Sequence, residues 1–179
     1  MSSPFLRALG PDAAKLAPVV AALHAGSPRY WTGRVTVRRR EGVLAAFACR
    51  VAGFPRSMQD APFGLDIEVG PETEIWTRDF DGHIMRSVLR LTQTGLSERL
   101  GVIDLGLCPE FEAGMLSTRV TDAHVFGIIP LPRFALPHGD VRLYQDKKSR
   151  YCFDIVGFVP VLGEVIRYSG WLLADPSSR

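Results

Sequence analysis

Apolar residues along the chain recur with two different periods. Leu16, Val19, Val20 and Leu23 fall at i, i+3, i+4 and i+7, the spacing of one helix face. Pro18 suits a first helical turn, so this helix is predicted to start near Ala17 and to stop at His24-Ala25-Gly26. From Tyr30 to Arg40 the period becomes two. Gly33, Val35 and Val37 alternate with Arg34, Thr36 and Arg38, which predicts a strand with one buried face. Residues 42–53 return to helical spacing, with Val43, Leu44, Phe47 and Val51 on one face and Gly53 with Pro55 as the stop. Residues 56–62 read as a loop.

Beyond Leu65 the chain alternates almost to its end. Strands are predicted at 65–69, 74–80, 83–91, 99–107, 115–125, 141–145, 151–157 and 164–173, with Gly and Pro at nearly every boundary. Asp81-Gly82 is the strongest hairpin signal, because an Asp-Gly pair supplies the positive φ angles of a tight turn. A two-residue turn there places Phe80 opposite His83, Arg78 opposite Met85, Trp76 opposite Ser87 and Glu74 opposite Leu89. About nine strands with short links form an antiparallel meander, and twist curls a sheet of that size. The expected fold is mainly β with short helices: a curved antiparallel sheet or β-barrel of calycin-like form. A helix-grip arrangement is the alternative, although it usually closes with a long C-terminal helix and none is predicted after Leu173. No linker or repeat divides residues 1–179, so one domain is expected, with 1–8 and 174–179 as flexible ends.

At 179 residues the chain is long enough to bury about 70% of its unfolded surface. Apolar residues make up 46% and charged residues 22%, which excludes disordered and coiled-coil classes. A net charge of +2 gives no electrostatic case for nucleic acid. No apolar run is long enough to span a bilayer as a helix, so no integral membrane segment is expected. Residues 16–25 imitate a signal peptide, but Asp12, Pro18 and His24 fit one poorly. The three cysteines, odd in number and without a C-x-x-C pair, point to free thiols in a reducing cytoplasm.

Catalytic signatures are missing. The chain has no dinucleotide fingerprint, no phosphate-binding loop and no nucleophile elbow. His24, His83, His124 and His138 do not share metal-binding spacing. No catalytic residue, metal or cofactor is therefore assigned. Cys49, Cys108 and Cys152 read as ordinary buried thiols.

Polar residues on an apolar face carry more information. One face of the Asp-Gly hairpin collects Glu74, Trp76, Arg78, Phe80, His83, Met85, Ser87, Leu89 and Leu91. This is the more aromatic face and should point inward, taking Glu74 and Arg78 with it. A buried charge needs a partner or a ligand. Glu98 and Arg99 at a strand entrance, Asp154 between Cys152 and Val156, and Arg167 in line with Ser169 and Trp171 extend the set. Three readings stay open: an internal ion-pair network that fixes strand register, a pocket for a greasy ligand, or a catalytic cluster. In the pocket reading Trp76, Phe80, Met85, Phe153 and Trp171 form walls, and Arg78, Arg99 and Arg167 hold a polar head group.

Several motifs together carry a family resemblance. Trp76-Thr77-Arg78-Asp79-Phe80-Asp81-Gly82 fits W-x-R-x-F-x-G, and Ser87 follows. Glu98-Arg99-Leu100-Gly101 is close to E-R-F-G, Pro130-Leu131-Pro132 fits P-L-P, and Arg167-Tyr168-Ser169-Gly170-Trp171-Leu172 fits R-Y-x-G-W-L. In these the chain resembles bacterial domain-of-unknown-function family 4166. The family implies a domain that stands alone or follows an NAD(P)-binding, saccharopine-dehydrogenase-like reductase domain, and it brings no catalytic residues. With no dinucleotide fingerprint of its own, this chain reads as a stand-alone copy. The expected function is a non-catalytic binding module for a hydrophobic small molecule or lipid. The alternatives are an accessory domain that docks an NAD(P)-dependent reductase, and an enzyme acting on a lipid-like substrate with Asp154 or Glu98 as general acid or base.

Overall fold

The computed structural model describes residues 3–93, 95–112, 115–160 and 162–175. Most of the tail expected to be flexible, 176–179, lies outside them. Three α-helices are described: α1 (Pro4–Leu9), α2 (Pro18–His24) and α3 (Val43–Val51). The strands are β1 (Tyr30–Arg39), β2 (Met58–Val69), β3 (Thr73–Phe80), β4 (His83–Thr92), β5 (Gly95–Leu100) and β6 (Ile103–Glu112). They continue as β7 (Met115–Val125), β8 (Ile129–Pro130), β9 (His138–Gln145), β10 (Tyr151–Val159) and β11 (Gly163–Ala174).

Ten antiparallel strands close into a barrel. The order runs β1 to β7, then β9, β10 and β11, which returns to β1. Closure satisfies the backbone donors and acceptors that an open sheet leaves at its edges. The β7–β9 seam is thin, with Leu116 opposite Leu143 as its one ladder pair among the described residues. Above it the chain leaves the wall, and β8 pairs instead with the end of β7.

The Asp81-Gly82 hairpin has the expected register, with Phe80 opposite His83 and Glu74 opposite Leu89. Asp81 and Gly82 take φ of 51° and 91°, the positive values that such a turn needs. Three expectations are corrected. Residues 58–62 are strand, because a register shift opposite Val35–Val37 carries Asp60 through positive φ and lets pairing continue. The strand expected at 99–107 is two strands, since the chain turns at Gly101, which has φ of 57°. Residues 4–9 are helix rather than a loose end. The Ser3 hydroxyl accepts from the Leu6 N–H at 3.2 Å, and Phe5 and Leu9 are buried.

The helices occupy opposite ends of the barrel. α1 and α2 plug one end with Phe5, Leu9, Val20, Leu23 and His24. The Phe5 N–H donates to Glu74 on β3, and the Val19 N–H donates to Gln145 at the end of β9. α3 lies over the other end. Its small residues Ala45 and Cys49 face inward, and the Cys49 thiol donates to the Val165 carbonyl at 3.7 Å. Phe63, Phe80, Phe153 and Tyr168 pack with ring centroids 4.7–6.2 Å apart along one side of the interior. No helix among the described residues is long and apolar enough to cross a membrane.

Candidate functional site

Alternation along each strand sends every second side chain inward, and ten strands enclose more space than these side chains fill. The result is a cavity of about 480 Å³. Phe5, His24 and Trp76 form its floor. Leu89, Leu105, Leu107, Val120 and Leu143 form part of its wall, with Tyr151, Phe153 and Tyr168 facing them. Phe47 and Val51 of α3, with Leu131, Ala135 and Pro137, line its outer end.

Few polar groups interrupt this lining. Arg78 enters from β3, and Glu98 enters from β5, two strands away. Their side chains are 13% and 15% exposed, and Arg78 Nη2 lies 3.6 Å from Glu98 Oε1. That distance is an ion pair but a poor hydrogen bond. Arg78 Nη1 donates to the Ser87 hydroxyl at 2.8 Å, and the guanidinium lies over the Trp76 ring, 5.1 Å from its centroid. Burial pushes the hydroxyls of Tyr151 and Tyr168 up from their ordinary titration, and the nearby Arg78 works against it. The cluster thus sets a guanidinium and two phenols beside an apolar space.

The floor is built differently. Glu74 is fully buried and accepts from the Phe5 N–H at 2.7 Å and the Trp76 indole N–H at 3.0 Å. Burial raises its titration, and these hydrogen bonds oppose the rise. His24 stacks on Phe5 at 3.9 Å and tilts against Trp76 at 5.3 Å. Both its ring nitrogens are buried without a partner among the described residues, and desolvation lowers its pKa to about 3. His24 is therefore a neutral, largely aromatic part of the floor at ordinary pH.

The sequence-predicted residues divide between inside and outside. Glu74, Trp76, Arg78, Phe80, Met85, Glu98 and Phe153 face the interior. Phe80 belongs to the packed aromatic side, while Trp76, Met85 and Phe153 line the cavity. Arg99, Asp154, Arg167 and Trp171 do not join them. Arg99 forks onto Asp104 at 2.7 and 3.1 Å, and Arg167 forks onto Asp154 at 2.9 and 2.5 Å, all on the outer wall. Trp171 also faces out, with Arg150 over its ring at 4.6 Å. The physical reason is strand phase: Tyr168, Gly170 and Leu172 point inward on β11, so Arg167 and Trp171 point out. Sequence reasoning passed over His24, Tyr151 and Tyr168. The signal was present, since His24 follows Val20 by four residues and Tyr168 alternates with Ile166 and Leu172.

Other chemistry is sparse. Cys49 and Cys152 are buried and Cys108 is half-buried, and burial pushes the Cys152 thiol up, away from the reactive thiolate. Among the described residues no group of His, Cys, Asp and Glu is placed to hold a metal ion. A polar groove of about 370 Å³ on the outer wall is lined by Thr36, Arg38, Arg167 and Ser169, all four on the outward face of β1 and β11.

The motif residues that suggested a family come together here, because Arg78, Ser87 and Glu98 form the interior polar cluster and Tyr168 stands by it. No curated protein and no solved structure matches the chain. A family model described as a Domain of unknown function (DUF4166) matches residues 16–172, from just before α2 to near the end of β11, and the chain belongs to that family.

Proposed function

We propose that the barrel is a non-catalytic binding module that holds one hydrophobic small molecule, a lipid or lipid-like compound. The carrying observation is the cavity of about 480 Å³, apolar on nearly all its surface, with the loosely joined Arg78–Glu98 pair on its wall. Small-molecule sites have this form and occupy about 300–1,000 Å³. The greasy part of the ligand lies against Leu89, Leu107, Val120, Leu143 and Phe153. Its polar end meets Arg78, Tyr151 and Tyr168. Because Glu98 already balances the Arg78 charge, a neutral polar end fits without displacing either partner, whereas an acid must compete with Glu98.

Native mass spectrometry of protein purified without detergent, followed by solvent extraction, tests this reading. The expected result is a stoichiometric hydrophobic compound, lost from the cavity-filling variant Val120→Trp. A ligand-free mass, together with no uptake from a total lipid extract, overturns it.

A further inference from the structure

We propose that the outer end of the barrel docks on an anionic lipid bilayer through α3 and the 126–137 segment. The arrangement of α3 is inverted relative to an ordinary surface helix. Its small residues Ala45 and Cys49 face the barrel, while the large Val43, Leu44 and Phe47 are 85%, 67% and 66% exposed. Ile128, Ile129 and Phe134 on the 126–137 segment are also exposed. Both elements pack at the same β5–β6 turn. A side chain added at Gly101 would approach the Val51 carbonyl, and the Phe126 N–H donates to the Val102 carbonyl at 2.7 Å. The two apolar sets therefore stand on one rim, and both elements also line the outer end of the cavity.

Charge identifies the occupant. Residues 38–56 carry Arg38, Arg39, Arg40, Arg50 and Arg56 against a single acid, Glu41. Across the rim stands Arg133, and the acids at the neighbouring turns are Asp81 between β3 and β4 and Glu164 at the start of β11. None of these arginines makes an ion pair among the described residues, although Arg39 is half-buried and donates to the Phe54 carbonyl at 3.1 Å and Arg38 lies on the outer wall beside Arg167. Arg40, Arg50, Arg56 and Arg133 are the ones that border the rim. On the barrel wall Arg29, Arg34, Arg99, Arg119, Arg142 and Arg167 do pair, and Arg86 and Arg90 on β4 are wall positions without such a pair among the described residues. Exposed apolar tips ringed by unpaired guanidinium groups match a phosphate-bearing interface. The tips enter the acyl boundary and the forks meet lipid phosphates. A ligand passing between such a surface and the cavity would not have to cross water. That use rests on the proposed binding reading, but the docking does not.

Vesicle flotation tests the surface, using phosphatidylcholine alone and phosphatidylcholine mixed with phosphatidylglycerol. The expected result is binding to the mixed vesicles, weakened by added salt and about fivefold for each of Arg40→Ser and Arg50→Ser. The double variant Phe47→Asp/Phe134→Asp should lose binding while keeping its circular dichroism spectrum. Arg86→Ser/Arg90→Ser, which removes unpaired arginines from the outer face of β4, should bind as the parent does. Val120→Trp should still dock, so failure of the cavity reading and failure of docking are separable. No binding to mixed vesicles at low salt overturns the proposal. So does unchanged binding by Phe47→Asp/Phe134→Asp, or a dimer in light scattering that this variant abolishes, which would make the face an interface between copies.

Discussion

His24 and Glu74 sit on the same floor and respond to pH in opposite directions. His24 titrates near 6.5 when unfolded and at about 3 in the barrel. Its folded pKa is depressed, so the unfolded chain binds the extra proton, and stability is lost as pH falls below about 6.5, by roughly 1.4 kcal/mol for each pH unit. Glu74 has a raised folded pKa from burial. Its contribution is fully present in acid and is lost as pH rises through that elevated value. Urea midpoints measured from about pH 4 to pH 8 separate the two. His24→Phe should flatten the acid limb, and Glu74→Gln should remove the opposing loss toward neutral pH. The Arg78–Glu98 pair makes a second residue-scale prediction. Arg78→Met alone should cost about 3 kcal/mol, because it strands a buried carboxylate, while Arg78→Met/Glu98→Leu should recover most of that loss.

At the scale of elements, the β1–β11 pair shows what a strand sequence conceals. Val35 faces Gly170 and Gly33 faces Leu172 across this ladder. A Cβ on Gly170 would overlap the Arg34 carbonyl and press on the Phe153 ring at 2.9 Å, and a Cβ on Gly33 would overlap the Trp171 carbonyl. These strands approach too closely for any side chain at either position. Gly170→Ala should therefore cost about 1–3 kcal/mol by overpacking, visible as a lower urea midpoint with an unchanged slope. The Asp81-Gly82 hairpin was readable because turn chemistry and alternation agree on one register. The β5–β6 boundary was not, because Glu98-Arg99-Leu100 and Ile103-Asp104-Leu105 continue the alternation on both sides of Gly101. α1 was unreadable for a different reason: six residues are too few to display a helical period.

For the whole molecule, one end of the barrel is plugged and the other is lined by apolar residues exposed to water. The plug depends on Phe5, which covers His24 and whose backbone N–H satisfies Glu74. Phe5→Ala should cost about 3 kcal/mol or more through the void it leaves. Its local signature is faster hydrogen exchange along β3 and β4 than along β10 and β11. Unchanged exchange on β3 would show that α1 does not hold the floor.

Local chemistry along the chain was enough to determine the mainly antiparallel β class, the register of the central hairpin, the inward course of Glu74, Trp76, Arg78, Phe80 and Met85, and the family motifs. Each depends on neighbours in sequence or on a turn whose residues announce it. The tertiary structure decided the rest. Closure through β7 and β9 joins strands separated by the 126–137 segment, and no residue pattern encodes that pairing. Strand phase on β5 and around the β10–β11 irregularity sent Arg99, Asp154, Arg167 and Trp171 outward, because one residue of shift reverses a strand's faces. The cavity and the exposed face of α3 are likewise properties of the assembled barrel. Both depend on how much space ten strands enclose and on which side of a helix that space lies.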